Sequence, residues 1–203
     1  MWSDHAARRT LAGGAEVSYD RGVSPGGHLV TTAVASVSVV ALTGSPALAA
    51  GVALGGFFID VDHAVDYVLF DRQRDLRPAA FLRYYMEGRA RWAVLVLHSY
   101  ELLALQAALA WMLESVLGLG YVLGALMHVA LDIRYNGELT PRSIVAFYSF
   151  AYRLAHRFDT RALLAYAGPP VAWTGFWSTF FVSLRRRGAR TRGPALTAPE
   201  TRA

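Results

Sequence analysis

Cysteine and lysine are both missing from this 203-residue chain. Without cysteine there is no disulfide and no thiolate, so any metal must be held by His, Asp and Glu. All 20 basic side chains are arginines, against 15 acids, giving a formal charge of +5. A basic balance can signal nucleic acid, but that footprint is a basic stripe with aromatics interleaved. Here the arginines lie in connecting segments and in the tail, so no nucleic-acid partner is expected. The lack of lysine beside abundant Ala and Gly reads as GC-rich codon usage. Charge of either sign is scarce, at 17% of residues, while 54% are hydrophobic and the mean hydropathy is +0.30.

What is present comes in blocks. Apolar runs cover residues 29–42, 47–59, 92–113 and 121–133. The first two are separated by Thr43-Gly44-Ser45-Pro46, and the last two by residues 114–120 with Gly118 and Gly120, both turn punctuation. The pattern predicts an all-α, membrane-embedded bundle built from two helical hairpins plus C-terminal helices. Its parts are a polar flexible arm (1–27), a helical membrane domain (28–184) and a disordered basic tail (185–203). At roughly 14 residues, or about 21 Å, each arm of the first hairpin falls short of a ~30 Å hydrocarbon core. Residues 71–78 read as a solvated loop, 81–86 as an interfacial aromatic patch and 144–158 as an amphipathic helix. Residues 162–184 are aromatic-rich and broken at Gly168-Pro169-Pro170.

Ionisable residues interrupt these runs at helical spacing. Asp60 and His63 are three apart, His98 and Glu101 three, His128 and Asp132 four. Each pair can aim two ligands from one helix face. His28 stands before the first run, and Asp62 lies between Asp60 and His63. In an up-down-up-down bundle, His28 opens the first helix and Asp60–His63 close the second. His98 then opens the third, and His128 and Asp132 close the fourth. Connectivity alone gathers all of them at one pole. The segments at that pole carry eleven arginines, from Arg8 to Arg142, and the opposite turns carry none. The positive-inside rule therefore places that pole in the cytoplasm.

Imidazole and carboxylate suit zinc first, with manganese or iron as alternatives. Four histidines and up to four acids exceed one tetrahedral zinc, so one or two ions are expected, with Asp60 or Asp132 as the bridge. Such a pair acidifies water and clamps the attacking and leaving oxygens of an in-line displacement. The expected metal ligands are His28, Asp60, His63, His98, His128 and Asp132, with Glu101 or Asp62 as catalytic base. Arg72, Arg74, Arg77, Arg89 and Arg91 could hold a phosphate beside the metals, though headgroup contact is the plainer reading. Each residue also has a bland reading: His28 as a cap, Asp60 and Asp62 as solvated acids, the remaining pairs as core hydrogen bonds. Ionisable side chains in apolar helices are costly to bury, and together they point to a shared site. His5 and His156 lack a paired acid and read as structural or surface residues. Asp66, four after Asp62, reads as a supporting or solvated acid.

The order of motifs resembles a bacterial family. It runs Gly27-His28, then Asp60-Val61-Asp62-His63, then His98-Ser99, then His128-x-x-x-Asp132, over residues 26–133. The family is that of inner-membrane-associated metal-dependent hydrolases, long known as a domain of unknown function, with some members described as LexA-binding. More distantly the pattern is similar to the all-helical zinc-dependent phospholipase C and P1 nuclease group, which also uses a His-x-x-x-Asp pair. The resemblance implies an inner-membrane location and a phosphodiester or phospholipid type of substrate. Ile59 stands where that family has Pro, and Val96-Leu97 precedes His98-Ser99 where it has an upstream His. One ligand position is thus left empty or to Glu101. The expected partners are membrane lipid and a small-molecule or lipid substrate. The competing readings are a non-enzymatic integral membrane protein with a structural metal or polar network, and an ion transporter.

Overall fold

The computed structural model describes residues 24–136, 143–164 and 173–181, together with the backbone of 9–10, 16–17, 19–21 and 184–186. His5, the break at Gly168-Pro169-Pro170 and most of the basic tail lie outside the described residues. The architecture is all-α, as the sequence predicts. Two short antiparallel pairings join Arg9–Thr10 to Glu16–Val17 and Tyr19–Arg21 to Leu184–Arg186. Residues from the expected loose arm therefore pair with residues from the tail.

Helix α1 (Pro25–Thr43) starts where Ser24 accepts a hydrogen bond from the Gly27 N–H at 3.0 Å and Pro25 fills the first turn. It stops at Gly44, whose φ of 66° is the left-handed conformation that ends helices. Ser45 and Pro46 repeat the starting signal for α2 (Pro46–Phe58), so the predicted hairpin forms at residues 43–46. The arms are longer than predicted. The Ser24-Pro25 cap starts α1 ahead of the apolar run, and its 19 residues reach about 28 Å. Beyond a bend at residues 59–60, α2 continues as α3 (Val61–Val65) and a π-helical turn over Asp66–Phe70. Among the described residues, three helices are long and apolar enough to cross a membrane: Pro25–Thr43, Pro46–Phe70 and Val116–Tyr135.

Helix α4 (Pro78–Met86) follows the loop after Asp71, and α5 (Tyr100–Met112) and α6 (Val116–Asn136) form the second hairpin. The hairpin turns at residues 113–115, and Gly118 and Gly120 sit inside α6 rather than in the turn. The α6 glycines serve packing instead. A Cβ on Gly120 or Gly124 would collide with the carbonyl of Leu48 or Val52 on α2. A Cβ on Gly51 or Gly55 of α2 would collide with that of Leu117 or Tyr121. The two small-x-x-x-small faces thus let the backbones touch, as at many membrane helix interfaces. Helix α1 packs against α2, and α5 against α6.

The predicted amphipathic helix over 144–158 is divided into α7 (Ile144–Phe147) and α8 (Phe150–Ala155). Ser143 and Ser149 each cap the following helix and so restart it. Helices α9 (Thr160–Leu163) and α10 (Phe176–Phe181) follow, and α10 packs against α1 and α4.

Candidate metal centre

Four separate stretches of backbone deliver the site. His28 lies in the first turn of α1, Asp60–His63 at the bend into α3, and His128 and Asp132 in the second half of α6. His98 comes from a different kind of structure. Residues 92–99 are not helical, and α5 begins only at Tyr100. The prediction of one helix over 92–113 fails there because side chains from elsewhere satisfy that backbone. Asp66 Oδ2 accepts the N–H groups of Val94 (2.7 Å) and Leu95 (3.2 Å), and Asp62 Oδ2 those of Leu97 (3.0 Å) and His98 (3.1 Å). Arg153, fully buried, donates to the carbonyls of Leu95 (2.8 Å), His98 (3.1 Å) and Phe147 (2.7 Å). Backbone polar groups without a helical partner must find one, and here three charged side chains supply it.

The imidazoles converge on two carboxylates. Asp60 Oδ1 faces the Nε2 atoms of His128 at 3.4 Å, His98 at 3.5 Å and His63 at 3.8 Å. Asp132 meets His28 Nε2 at 3.1 Å, His128 Nε2 at 3.5 Å and His98 Nε2 at 4.0 Å. The rings of His28 and His128 stack with centroids 3.8 Å apart. With Zn–N near 2.0–2.1 Å, neighbouring donors of a tetrahedral zinc stand about 3.3–3.4 Å apart, close to several of these spacings. Potential donors also group as His28/His128/Asp132, Asp60/His98/His128 and Asp62/His63/His98, each set within 4.8 Å.

The far sides of two rings are fixed. His98 Nδ1 donates to Asp62 at 3.0 Å and His128 Nδ1 donates to the Gly56 carbonyl at 2.8 Å. A carboxylate and a carbonyl can only accept, so both rings carry their proton on Nδ1 and turn Nε2 toward Asp60. His98 Nε2 is buried without a hydrogen-bond partner. Orphaned, inward-facing nitrogen of this kind is what a cation would satisfy, and the donor set fits a divalent metal. Burial opposes charge on His98, yet Asp62 and Asp60 outweigh it and raise the imidazole to about 9. The surroundings are rich enough in negative charge to favour a cation.

The structure thus brings His28, Asp60, His63, His98, His128 and Asp132 together. Asp62 is in the same cluster, but its carboxylate is occupied by His98 and two amides, so it positions a ring rather than acting as a base. Glu101 is not brought in. It accepts from Ser149 Oγ (2.6 Å) and from the Phe150 (2.8 Å) and Ala151 (3.2 Å) amides, at the start of α8. Burial works against its charge, but these donors prevail and hold it down at about 2. Asp71, expected in a solvated loop, is buried and accepts from the Arg91 N–H. Arg72, Arg74, Arg77, Arg89 and Arg91 are not at the cluster; Arg77 pairs with Asp75, and Arg89 with Glu87. His156 lies apart from the cluster, its Nδ1 2.8 Å from the Tyr152 carbonyl.

Sequence reasoning missed Arg153 and Tyr148. Tyr148 is buried beside the cluster; burial first, then the negative charge of Asp132, drives its hydroxyl far above the ordinary value. No motif marks either residue, since each acts on segments remote in the chain. Asp66 did carry a signal, its four-residue spacing from Asp62. No family model matches this chain, and no curated protein or solved structure matches it either.

Proposed function

We propose that this is an integral protein of the bacterial inner membrane and a metal-dependent hydrolase of phosphoesters or phospholipids. The observation that carries the reading is the convergence of four imidazoles on Asp60 and Asp132, with outer hydrogen bonds turning His98 and His128 inward. One or two zinc ions held there would supply Lewis acidity and an acidified water. The protein's own part is positioning. Asp62 and Gly56 lock two rings, and the buried Tyr148 hydroxyl keeps its proton. Asp60 is the carboxylate that incoming water meets first, because 39% of its side chain is accessible against 5% for Asp62 and 11% for Asp132. The excess of arginine near this pole supports a cytoplasmic orientation, and the motif order resembling inner-membrane hydrolases agrees. An ion path would need donors at several depths, whereas these lie in one cluster.

The test is metal analysis of detergent-purified protein, followed by phosphodiester and lipid hydrolysis with and without chelator. Bound zinc and chelator-sensitive turnover, both lost in folded His128→Ala, support the reading. Metal-free protein with every donor intact would count decisively against it.

A further inference from the structure

The cluster lines a cavity of about 510 Å³, a size that suits an organic ligand far better than a bare ion and its waters. Most of the remaining wall is apolar, including Phe57, Phe81, Leu82, Ala93, Phe147 and Phe180. Among the described residues no arginine lines it. Phe58 and Val61 line the cavity and also face outward, 52% and 48% exposed, so exposed apolar surface adjoins its wall on that side. From Val61 the exposed face continues at four-residue steps through Val65 and Leu69, along a stretch apolar enough to cross a membrane. Such a continuous exposed apolar strip belongs against hydrocarbon rather than water.

Resting on the hydrolase reading above, we propose that the substrate is a membrane lipid that enters sideways from the bilayer past Phe58 and Val61. It lays one hydrocarbon tail along Phe57, Phe81, Leu82 and Phe180 and presents an internal ester to the histidine–aspartate cluster. A terminal phosphate monoester fits less well than a diester or acyl ester, because no arginine in the wall adds to the metal's charge against its second negative charge. Cleavage consumes one water: its oxygen joins the acyl carbon or phosphorus, the ester C–O or P–O bond breaks, and the departing alcohol takes up a proton.

Zinc-loaded full-length protein in lipid nanodiscs, containing a phosphatidylcholine with a diazirine near the end of one acyl chain, tests this by irradiation and peptide mapping. Label is expected on Leu82, which at 6% exposure is out of reach of surrounding lipid, as well as on outward-facing Leu109 and Trp111. Val61→Trp or Ala64→Phe, both at lining positions that are also exposed, should cut Leu82 labelling at least tenfold. Zinc content and the outer labels should stay as they are. Label confined to the outer residues, or Leu82 labelling indifferent to both substitutions, overturns the proposal. The two readings fail separately. Turnover of a short water-soluble ester without Leu82 label removes lateral lipid entry and leaves the hydrolase. Leu82 label without any hydrolysis removes the hydrolase and leaves a lipid-occupied cavity.

Discussion

His128 and His98 reach the same carboxylate by opposite routes. His128 rides on an unbroken helix whose glycines let α6 lie directly on α2, close enough for its Nδ1 to reach the Gly56 carbonyl. His98 sits on non-helical backbone, after a Leu95 held at φ 43°, a conformation that costs a branched residue about 1–3 kcal/mol. One histidine is placed by the absence of side chains, the other by an unusual concentration of charged ones. The first arrangement is local and regular. The second depends on Asp62, Asp66 and Arg153 all being in place, so damage should spread further from it.

Removing Arg153 tests that contrast most severely. Arg153→Met strips the guanidinium from three carbonyls, of which Leu95 keeps only the His98 N–H, and a loss of about 3–5 kcal/mol is expected. Thermal unfolding in detergent should show it, with zinc content falling as His98 is released. A variant as stable as the parent would mean that the 92–99 segment is held by something else. On the helical side, Gly55→Leu forces α6 away from α2 and should cost about 1–3 kcal/mol by overpacking. Zinc binding should weaken with it, because His128 loses its hold on Gly56. If this substitution proves worse than Arg153→Met, the ranking of the two routes is reversed.

Asp62→Asn separates positioning from folding. The amide can still face the Leu97 and His98 N–H groups, but the charge that orients the His98 ring is gone. Zinc affinity should drop about 10–100-fold, read by competition with a chromogenic chelator, with little change in unfolding. Unchanged affinity would place His98 outside the metal shell. The smallest effect is expected at Glu101, whose work is to cap α8. Glu101→Gln should cost about 0.5–1 kcal/mol and leave zinc content alone. With its folded pKa near 2 and an unfolded value near the usual ~4.3, Glu101 stabilises the fold fully above that unfolded value. The contribution fades as pH falls toward 2, so the difference between variant and parent should shrink over that window. A large loss of zinc in Glu101→Gln would restore Glu101 to the site.

Much of the cluster was legible because its candidate ligands come in local pairs. Asp60/His63 and His128/Asp132 could be read from helical spacing, and alternating helix direction placed them with His28 at one end. The helix punctuation at Gly44-Ser45-Pro46 was equally clear, since turn and cap chemistry is local. Glu101 was misread for an instructive reason: three-residue spacing from His98 suggests a shared face only if both residues are helical, and His98 is not. The glycines of α6 were misread as a turn, because glycine serves both turns and close approach and the chain alone does not say which.

Residue type and spacing by themselves determined an all-α chain of apolar hairpins with imidazoles and carboxylates drawn toward one pole, because capping, periodicity and connection length act over a few residues. Tertiary structure alone decided which acids face a histidine and which serve backbone amides, and that Arg153 props up a loop more than fifty residues away. It also decided that the cluster borders an apolar cavity. These outcomes depend on unsatisfied buried polar groups finding partners across the fold, and no local rule records where those partners lie.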